Sequence, residues 1–473
     1  MNHPLTFTPA RFFVPLSLLF GVMLVFITPP FQSPDEYNHF FRAFQVSKGR
    51  FFPETLQHNR LGGYLPASLD SLKNMYLPLK GDYAAKTDRA TLRRALSLRL
   101  TPAEQHFTDF PNTAIYAPTA YVPQAIGIAF ARNFTDRVLA LFYATRLFNL
   151  LFWIALVWAA LQWMPFQRQT MAFLALLPAS LAIAASCNAD VLSNGLAFYA
   201  IAVFCRGLQT KGFTGGKKSE NTATGAAALI ALNKLVFAPL ALLSGLAALD
   251  RFGAWKQAFR QSFFPLSLAF LAAFLWGIKS QGWFIPYDRY DPAVRDAQTL
   301  NPGVDPREQL QYIIGNPLSF IETVATSFVR AAPAAAAHFV GKFGWEKNYL
   351  PGWMLALLWL TLGLLVFTEK NGLTPAQRFW ISGIVFFCIL LWTVTMYALW
   401  RPVGARELDN WQGRYFVPLG PLAALVAGAG WVRRWEPRIE TTALLALLTG
   451  NVCLFVAVAE RYWSLNSEHC CHY

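Results

Sequence analysis

Long apolar runs broken by short polar turns set the pattern of this chain. Residues 12–34 and 169–189 contain no charged side chain, and 139–166 holds only Arg146. A helix needs about 20 residues to cross a hydrocarbon core. In lipid the backbone must satisfy its own hydrogen bonds, so such runs are helical. The short alternating segments of a membrane β-barrel do not occur. The pattern predicts spans at 12–28, 138–164, 170–186, 191–205, 263–281, 350–367, 379–400, 415–431 and 441–459, with a broken pair over 225–250. That is an all-α polytopic membrane protein with about 11 transmembrane helices. The chain reads as one integral membrane domain, 1–473, with two hydrophilic loops at 31–112 and 282–349.

Segment 113–132 decides the topology. Its apolar part, 115–130, is long enough to raise the question of a span. If it lies at the interface or re-enters, these basic residues share the cytoplasmic side: Arg168; Arg206, Lys211, Lys217 and Lys218; Arg251, Lys256 and Arg260; Lys370 and Arg378; Arg433, Arg434 and Arg438. Of the opposing short connections, only 401–414 carries several basic residues. The positive-inside rule therefore selects the non-spanning reading, with a cytoplasmic N-terminus and both long loops outside. The first run is too long for a signal-peptide core and is followed by Pro29-Pro30-Phe31, so it reads as a retained span.

Composition agrees. Charged residues are 14% of the chain, against roughly 25% in soluble domains. The net charge of +14 comes from Lys and Arg placed between apolar runs. That arrangement fits a lipid bilayer as partner and not nucleic acid. Cys187, Cys205, Cys388 and Cys453 lie in apolar runs and read as small buried side chains. Cys470 and Cys471, in Glu-His-Cys-Cys-His, offer metal ligands on a terminal tail that supplies no fixed geometry.

Three polar clusters fall on the outer face in this topology: 33–42, 188–190 and 401–415. Lys234 joins them, because a Lys in the middle of 225–250 is costly at bilayer depth unless two half-helices meet there. Within Ser33-Pro34-Asp35-Glu36-Tyr37-Asn38-His39-Phe40-Phe41-Arg42, two readings stand. In one, Ser33 caps a helix, Pro34 takes its first position, and Asp35 and Glu36 complement the helix dipole. In the other, Asp35 is a general base at the lipid–water boundary, helped by Glu36, with His39 and Arg42 on the same helical face.

This run, together with Ser186-Cys187-Asn188-Ala189-Asp190 and Gln412-Gly413-Arg414-Tyr415-Phe416-Val417-Pro418, resembles the motifs of the DUF2142 family of bacterial membrane proteins. The similarity extends to the order of spans over nearly the whole chain. That family is related to the GT-C glycosyltransferases. The resemblance implies a GT-C-like fold in the bacterial inner membrane and a periplasmic transfer of sugar. The donor would be a polyprenyl-phosphate or -diphosphate sugar, and the acceptor a glycan, lipid or protein. Asp35 matches the first-loop catalytic acid, Glu36 its partner, Asp190 a second acidic position, and Arg414 a residue that meets the donor phosphate.

The residue chemistry suits those roles. Inverting transfer needs one base for the acceptor hydroxyl and a cation for the leaving phosphate. Arg401, Gln412, Arg414 and Tyr415 share one stretch, and Arg binds phosphate through its planar fork. Arg401 and Arg406 beside Trp400 and Trp411 also read as interface anchors. The sequence assigns no cofactor. A divalent cation on Asp35, Glu36 and Asp190 stays open, with Lys234 and the arginines as its electrostatic alternative. Trp283-Phe284-Ile285-Pro286-Tyr287-Asp288-Arg289-Tyr290-Asp291 reads either as an aromatic belt or as a sugar-binding loop, and 305–329 as an amphipathic interfacial helix with Leu310, Ile313, Ile314, Leu318, Phe320 and Ile321 toward lipid. A transporter or flippase of lipid-linked glycans is the alternative function. It would place polar groups at mid-bilayer and commonly shows internal repeats, and no repeat is visible.

Overall fold

A computed structural model describes residues 9–57, 59–209, 217–249, 254–345, 348–409, 411–428, 430 and 436–463. Cys470 and Cys471 lie outside them, as do Lys211, Arg251, Arg433 and Arg434 of the topology argument. Six helices among the described residues are long and apolar enough to cross a membrane. They are α1 (Pro9–Ile27), α4 (Val138–Trp163), α7 (Asp190–Gln209), α9 (Trp255–Ser280), α13 (Pro375–Trp400) and α15 (Glu436–Tyr462). Other helices that frame the site are α2 (Glu36–Ser47), α3 (Val122–Ala131), α5 (Arg168–Leu176), α6 (Pro178–Ala184), α8 (Lys217–Asn233), α10 (Pro306–Gly315), α11 (Pro317–Gly341), α12 (Gly352–Thr368) and α14 (Gly420–Ala427). Two 3-10 helices, Leu235–Ala248 and Gly413–Leu419, also bear on the site.

Several expected spans prove to be broken. Residues 170–186 divide at Leu177, whose extended backbone (φ −53°, ψ 141°) precedes Pro178. Proline lacks the N–H that would continue the helix and disfavours helical geometry in the residue before it. Residues 415–431 likewise begin as 3-10 helix and pass into the short α14, with Pro418 and Pro421 in the path. The pair predicted over 225–250 is broken at Lys234, where α8 stops and the 3-10 helix starts. Helix α3 has 10 residues, about 15 Å of axis, half a hydrocarbon core.

The fold is not wholly helical. Within 31–112, three strands, β1 (Glu54–Leu56), β2 (Arg60–Pro66) and β3 (Gln105–Asp109), form an antiparallel sheet in the order β1-β2-β3, with Glu54 opposite Gly62 and Gly62 opposite Asp109. Strand β2 is buried on both faces over most of its length, so it lacks the alternation that reveals a strand in sequence.

Helix α4 is the central post, packed by α1, α3 and α7. Helix α9 is the most bare: Phe263 is 72% exposed, Phe264 67% and Phe274 63%. A band of naked aromatics of this kind is stable against lipid, not water. The expected helix at 305–329 is two helices, α10 and α11, parted at Asn316-Pro317. Leu310, Ile314, Leu318 and Ile321 are exposed, but Phe320 is turned inward against Tyr397, ring centroids 5.3 Å apart.

Candidate functional site

A cavity of about 860 Å³ opens at the end of the bundle where α1 gives way to α2. Asp35, His39, Asp190, Lys234, Arg401, Gln412, Arg414 and Tyr415 all line it; Glu36 and Arg42 do not. The chain thus gathers, from four separate stretches, most of the polar residues singled out in its sequence.

Asp35 occupies the N-cap position of α2 in the left-handed conformation, φ 60°, and its side chain makes no capping hydrogen bond. Asp is one of the few side chains that tolerates this region. The helix begins at Glu36, so the reading with Ser33 as cap is corrected. Freed from capping, the Asp35 carboxylate accepts from Asn112 Nδ2 at 3.3 Å and lies 3.7 Å from Arg414 Nη2, with 22% of the side chain exposed.

Glu36 has a different place. Its side chain is 0% exposed and pairs with Arg146 through two bonds, Nε to Oε1 at 2.8 Å and Nη2 to Oε2 at 2.7 Å. Arg146 also donates to the carbonyls of Val25 (2.9 Å), Thr28 (2.6 Å) and Pro29 (3.0 Å), which uses all five guanidinium N–H groups. Glu36 Oε1 further accepts the Cys187 N–H at 3.0 Å. The Glu36–Arg146 pair therefore ties the α1–α2 turn, which carries Asp35, to the 186–190 turn, which carries Asp190. Glu36 is a positioning residue and not the second member of a catalytic pair. The lone charge within 139–166 was the signal, since a cation in an apolar helix needs a named partner.

Asp190 starts α7, and its N–H donates to Asn188 Oδ1 at 2.8 Å. An acid suits the positive end of a helix. Its carboxylate pairs with the Lys234 ammonium, which also stands 5.0 Å from the centre of the Tyr415 ring. The break in 225–250 is what lets Lys234 reach this partner. Asn233, beside it, accepts from Thr119 Oγ1 at 2.7 Å.

Arg414 is delivered by the 3-10 helix Gly413–Leu419. Gly413 presses on α11 so closely that a Cβ there would lie 2.3 Å from Phe339 N and 2.4 Å from Ala335 O. Only glycine fits that approach. Arg414 Nη2 donates to the Tyr415 hydroxyl at 3.1 Å, while its Nε and Nη1 have no hydrogen-bond partner among the described residues. Asn233 Nδ2 and the indole N–H groups of Trp392 and Trp411, on residues that line the same cavity, are also without hydrogen-bond partners among the described residues. A buried donor left unpaired costs about 1–3 kcal/mol. The unmet groups are donors, which suits an anionic or hydroxyl-rich ligand.

His39 is buried, its Nδ1 3.0 Å from the Tyr121 hydroxyl and its ring parallel to that of Tyr116. Burial pushes its pKa down to about 4 against the pull of Asp35 and Asp190. The imidazole is neutral near pH 7 and brings no cation to the site. Arg42 points away, bonded to Gln45 and to the Phe51 carbonyl at 2.7 Å, which removes it from the substrate-binding candidates. Arg401 lines the mouth in an ion pair with Asp409 at 2.9 Å.

Asp35, Glu36 and Asp190 do not converge as cation ligands, because Glu36 is committed to Arg146 and Asp190 to Lys234. Among the described residues no group of three His, Cys, Asp or Glu side chains is arranged to hold a metal. Trp283, Phe284 and Tyr287 reach the cavity, whereas Asp288 and Asp291 accept backbone N–H groups of Gly303 and Ala293 within their own loop. Sequence reasoning missed Arg146, and also Asn112, Tyr116, Trp276 and His338 of the cavity wall, which carry no local motif.

No curated protein and no solved structure matches the chain. A family profile described as "Predicted membrane protein (DUF2142)" matches residues 18–423, and it takes in Asp35, Asp190, Lys234 and Arg414. The chain is a membrane protein of the DUF2142 family.

Proposed function

We propose that this protein is a glycosyltransferase of the GT-C type, which moves a sugar from a polyprenyl-(di)phosphate donor to a cell-envelope acceptor at the periplasmic face of the bacterial inner membrane. The single observation that carries this reading is an open carboxylate, Asp35, 3.7 Å from a guanidinium, Arg414, that keeps unpaired N–H groups at a large cavity. Glycosyl transfer needs such a pairing of a base with an anion holder.

In the reaction we envisage, Asp35 takes the proton of an acceptor hydroxyl. The acceptor oxygen bonds to the anomeric carbon while the bond from that carbon to the phosphate oxygen breaks. The departing phosphate keeps the electron pair and is held by Arg414, with Lys234 as a second cation and no need for protonation. Aromatic rings of the wall, Trp283 and Tyr287 among them, offer faces for sugar rings. Gathering of the charged groups at one end of the bundle favours transfer over transport, which needs a polar path through the middle.

Asp35→Asn tests the reading. With membrane level and melting unchanged, sugar transfer from a polyprenyl-phosphate donor in vitro is expected to fall by about 10²–10⁴-fold. Full activity in that variant refutes the assignment of the base. A wild-type protein that moves lipid-linked sugar between leaflets without transferring it refutes the enzyme.

A further inference from the structure

Residues 281–304 follow α9 and bring Trp283, Phe284, Tyr287 and Leu300 to the cavity wall. Their far end is fastened to α13, where Asn301 Nδ2 donates to the Trp400 carbonyl at 2.9 Å. Their middle is fastened to the sheet. Tyr290 is 1% exposed, and its hydroxyl accepts the Leu61 N–H of β2 at 2.8 Å and donates to Asp109 Oδ1 of β3 at 2.7 Å. Asn59 Nδ2 adds a bond to the Arg289 carbonyl at 3.1 Å. Arg60 grips the same Asp109 carboxylate from β2, with Nε 3.1 Å from Oδ1 and 3.2 Å from Oδ2. The end of β3 is therefore held from two sides, once by its neighbour strand and once by the loop.

From Asp109 the chain runs directly to Asn112. Between them Phe110 is 0% exposed and its N–H donates to the Leu61 carbonyl at 3.2 Å, so little slack remains. Asn112 Oδ1 accepts from Asn38 Nδ2 at 2.7 Å, and its own Nδ2 donates to Asp35 Oδ1 at 3.3 Å. Asn38 thus orients the amide so that its donor faces Asp35. Strand β2 is also tied to α2, since Gln45 Nε2 donates to the Gly62 carbonyl at 3.4 Å and Arg42 holds Gln45 Oε1. That gives Arg42 a task outside the cavity. Such ties would serve any sheet; what sets these apart is where they end. Asp35 caps nothing, and beyond Asn112 its charged neighbour is Arg414 at 3.7 Å. Without Asn112 the carboxylate would close on that guanidinium, because a charge-assisted pair is strongest at contact. A closed pair takes the base and the anion holder out of use together.

We infer that Asn112 is the positioning residue of Asp35, holding its carboxylate short of a closed pair with Arg414, and that Tyr290 passes the placement of residues 281–304 to Asn112 along β3. The inference rests on the reading of Asp35 as the base and adds a control to it. The base is set for proton transfer when the loop that lines the cavity is seated on the sheet. The sheet is then a link between the wall that meets the substrate and the group that acts on it.

Asn112→Ala should lower kcat for sugar transfer by about 10–100-fold, as a misplaced catalytic group does. KM should stay within about threefold, because Asp35 and Arg414 act on charge that develops during transfer. Tyr290→Phe keeps the ring and should lower kcat by roughly three- to tenfold, the worth of one buried hydrogen bond. In the Asp35→Asn background neither change should lower the residual transfer further, since no carboxylate is left to position. Losses that multiply in that background belong to a purely structural role and overturn the inference. Hydrogen exchange on the full-length protein in nanodiscs needs no activity: Tyr290→Phe should speed exchange at 105–116 and 33–39 as well as in the loop. Faster exchange confined to 281–304 overturns the link. The two ideas fail separately. Wild-type kcat in Asn112→Ala beside an inactive Asp35→Asn removes the positioning and leaves the base. Full transfer by Asp35→Asn removes the base, and the exchange result then decides the link by itself.

Discussion

Removing Arg146 gives the sharpest test of how the site is held. Arg146 is 1% exposed and Glu36 0%. Replacing Arg146 by Met keeps an unbranched apolar stem but deletes five N–H donors. Glu36 would then be a buried carboxylate supported only by the N–H groups of Cys187 at 3.0 Å and Ser33 at 3.4 Å. The carbonyls of Val25, Thr28 and Pro29 would lose the donors that cross-link them. Breaking one side of a buried pair costs about 3–5 kcal/mol, mostly as the penalty of the stranded charge. Glu36→Gln in the same background removes that charge but not the orphaned carbonyls. The double variant is therefore expected to recover part of the loss, on the order of 2 kcal/mol, and to stay below wild type. Intrinsic tryptophan fluorescence during thermal unfolding in detergent reads all four corners of the cycle, and the same samples report on the Asp35 turn through sugar transfer. Melting of the Arg146→Met protein with the wild type, or additive losses in the double variant, would falsify the claim that this pair fastens the two acid-bearing turns.

Gly413→Ala should lower the melting temperature and reduce donor binding together, since its Cβ must push α11 or the Arg414 turn by more than an ångström; a cost of about 1–3 kcal/mol is expected, and an unchanged melt with normal activity contradicts the close approach. Arg414→Lys retains charge without the planar fork, so transfer should fall by roughly tenfold or more with the loss largest in kcat; equal activity argues against bidentate phosphate contact. His39 is neutral in the folded protein down to about pH 4 and ordinarily titrates near 6.5. Its contribution is undiminished above 6.5 and falls as pH drops toward 4, by about 3 kcal/mol in full. His39→Gln should therefore flatten the stability–pH curve between pH 6.5 and 4, and a curve of unchanged slope dismisses the buried neutral imidazole.

Much of the site was legible before the fold. Asp35, Asp190, Lys234 and Arg414 stand out because each is a charge beside or inside an apolar run, and such a charge must face protein or water. Lys234 in the middle of 225–250 announced a broken helix, and α8 does stop at Asn233. The sheet over 54–109 was not legible, because β2 is buried on both faces and its partner β3 lies some forty residues away. Nor were the breaks at Pro178 and Pro418, where apolar composition continues across a change of backbone geometry.

The sequence by itself determined that the chain lives in a membrane, that its polar residues cluster in a few turns, and that those turns carry paired acids and bases. These are local properties: hydropathy and proline placement act over one helix. Only the tertiary structure decided which acid does what. Asp35 and Glu36 are adjacent and equal in charge, yet one accepts a single side-chain hydrogen bond at an open cavity and the other is sealed against Arg146, 110 residues away. The physical reason is that desolvation and pairing energy depend on what packs around a carboxylate. At 35 and 36 a left-handed turn sends neighbouring side chains in opposite directions.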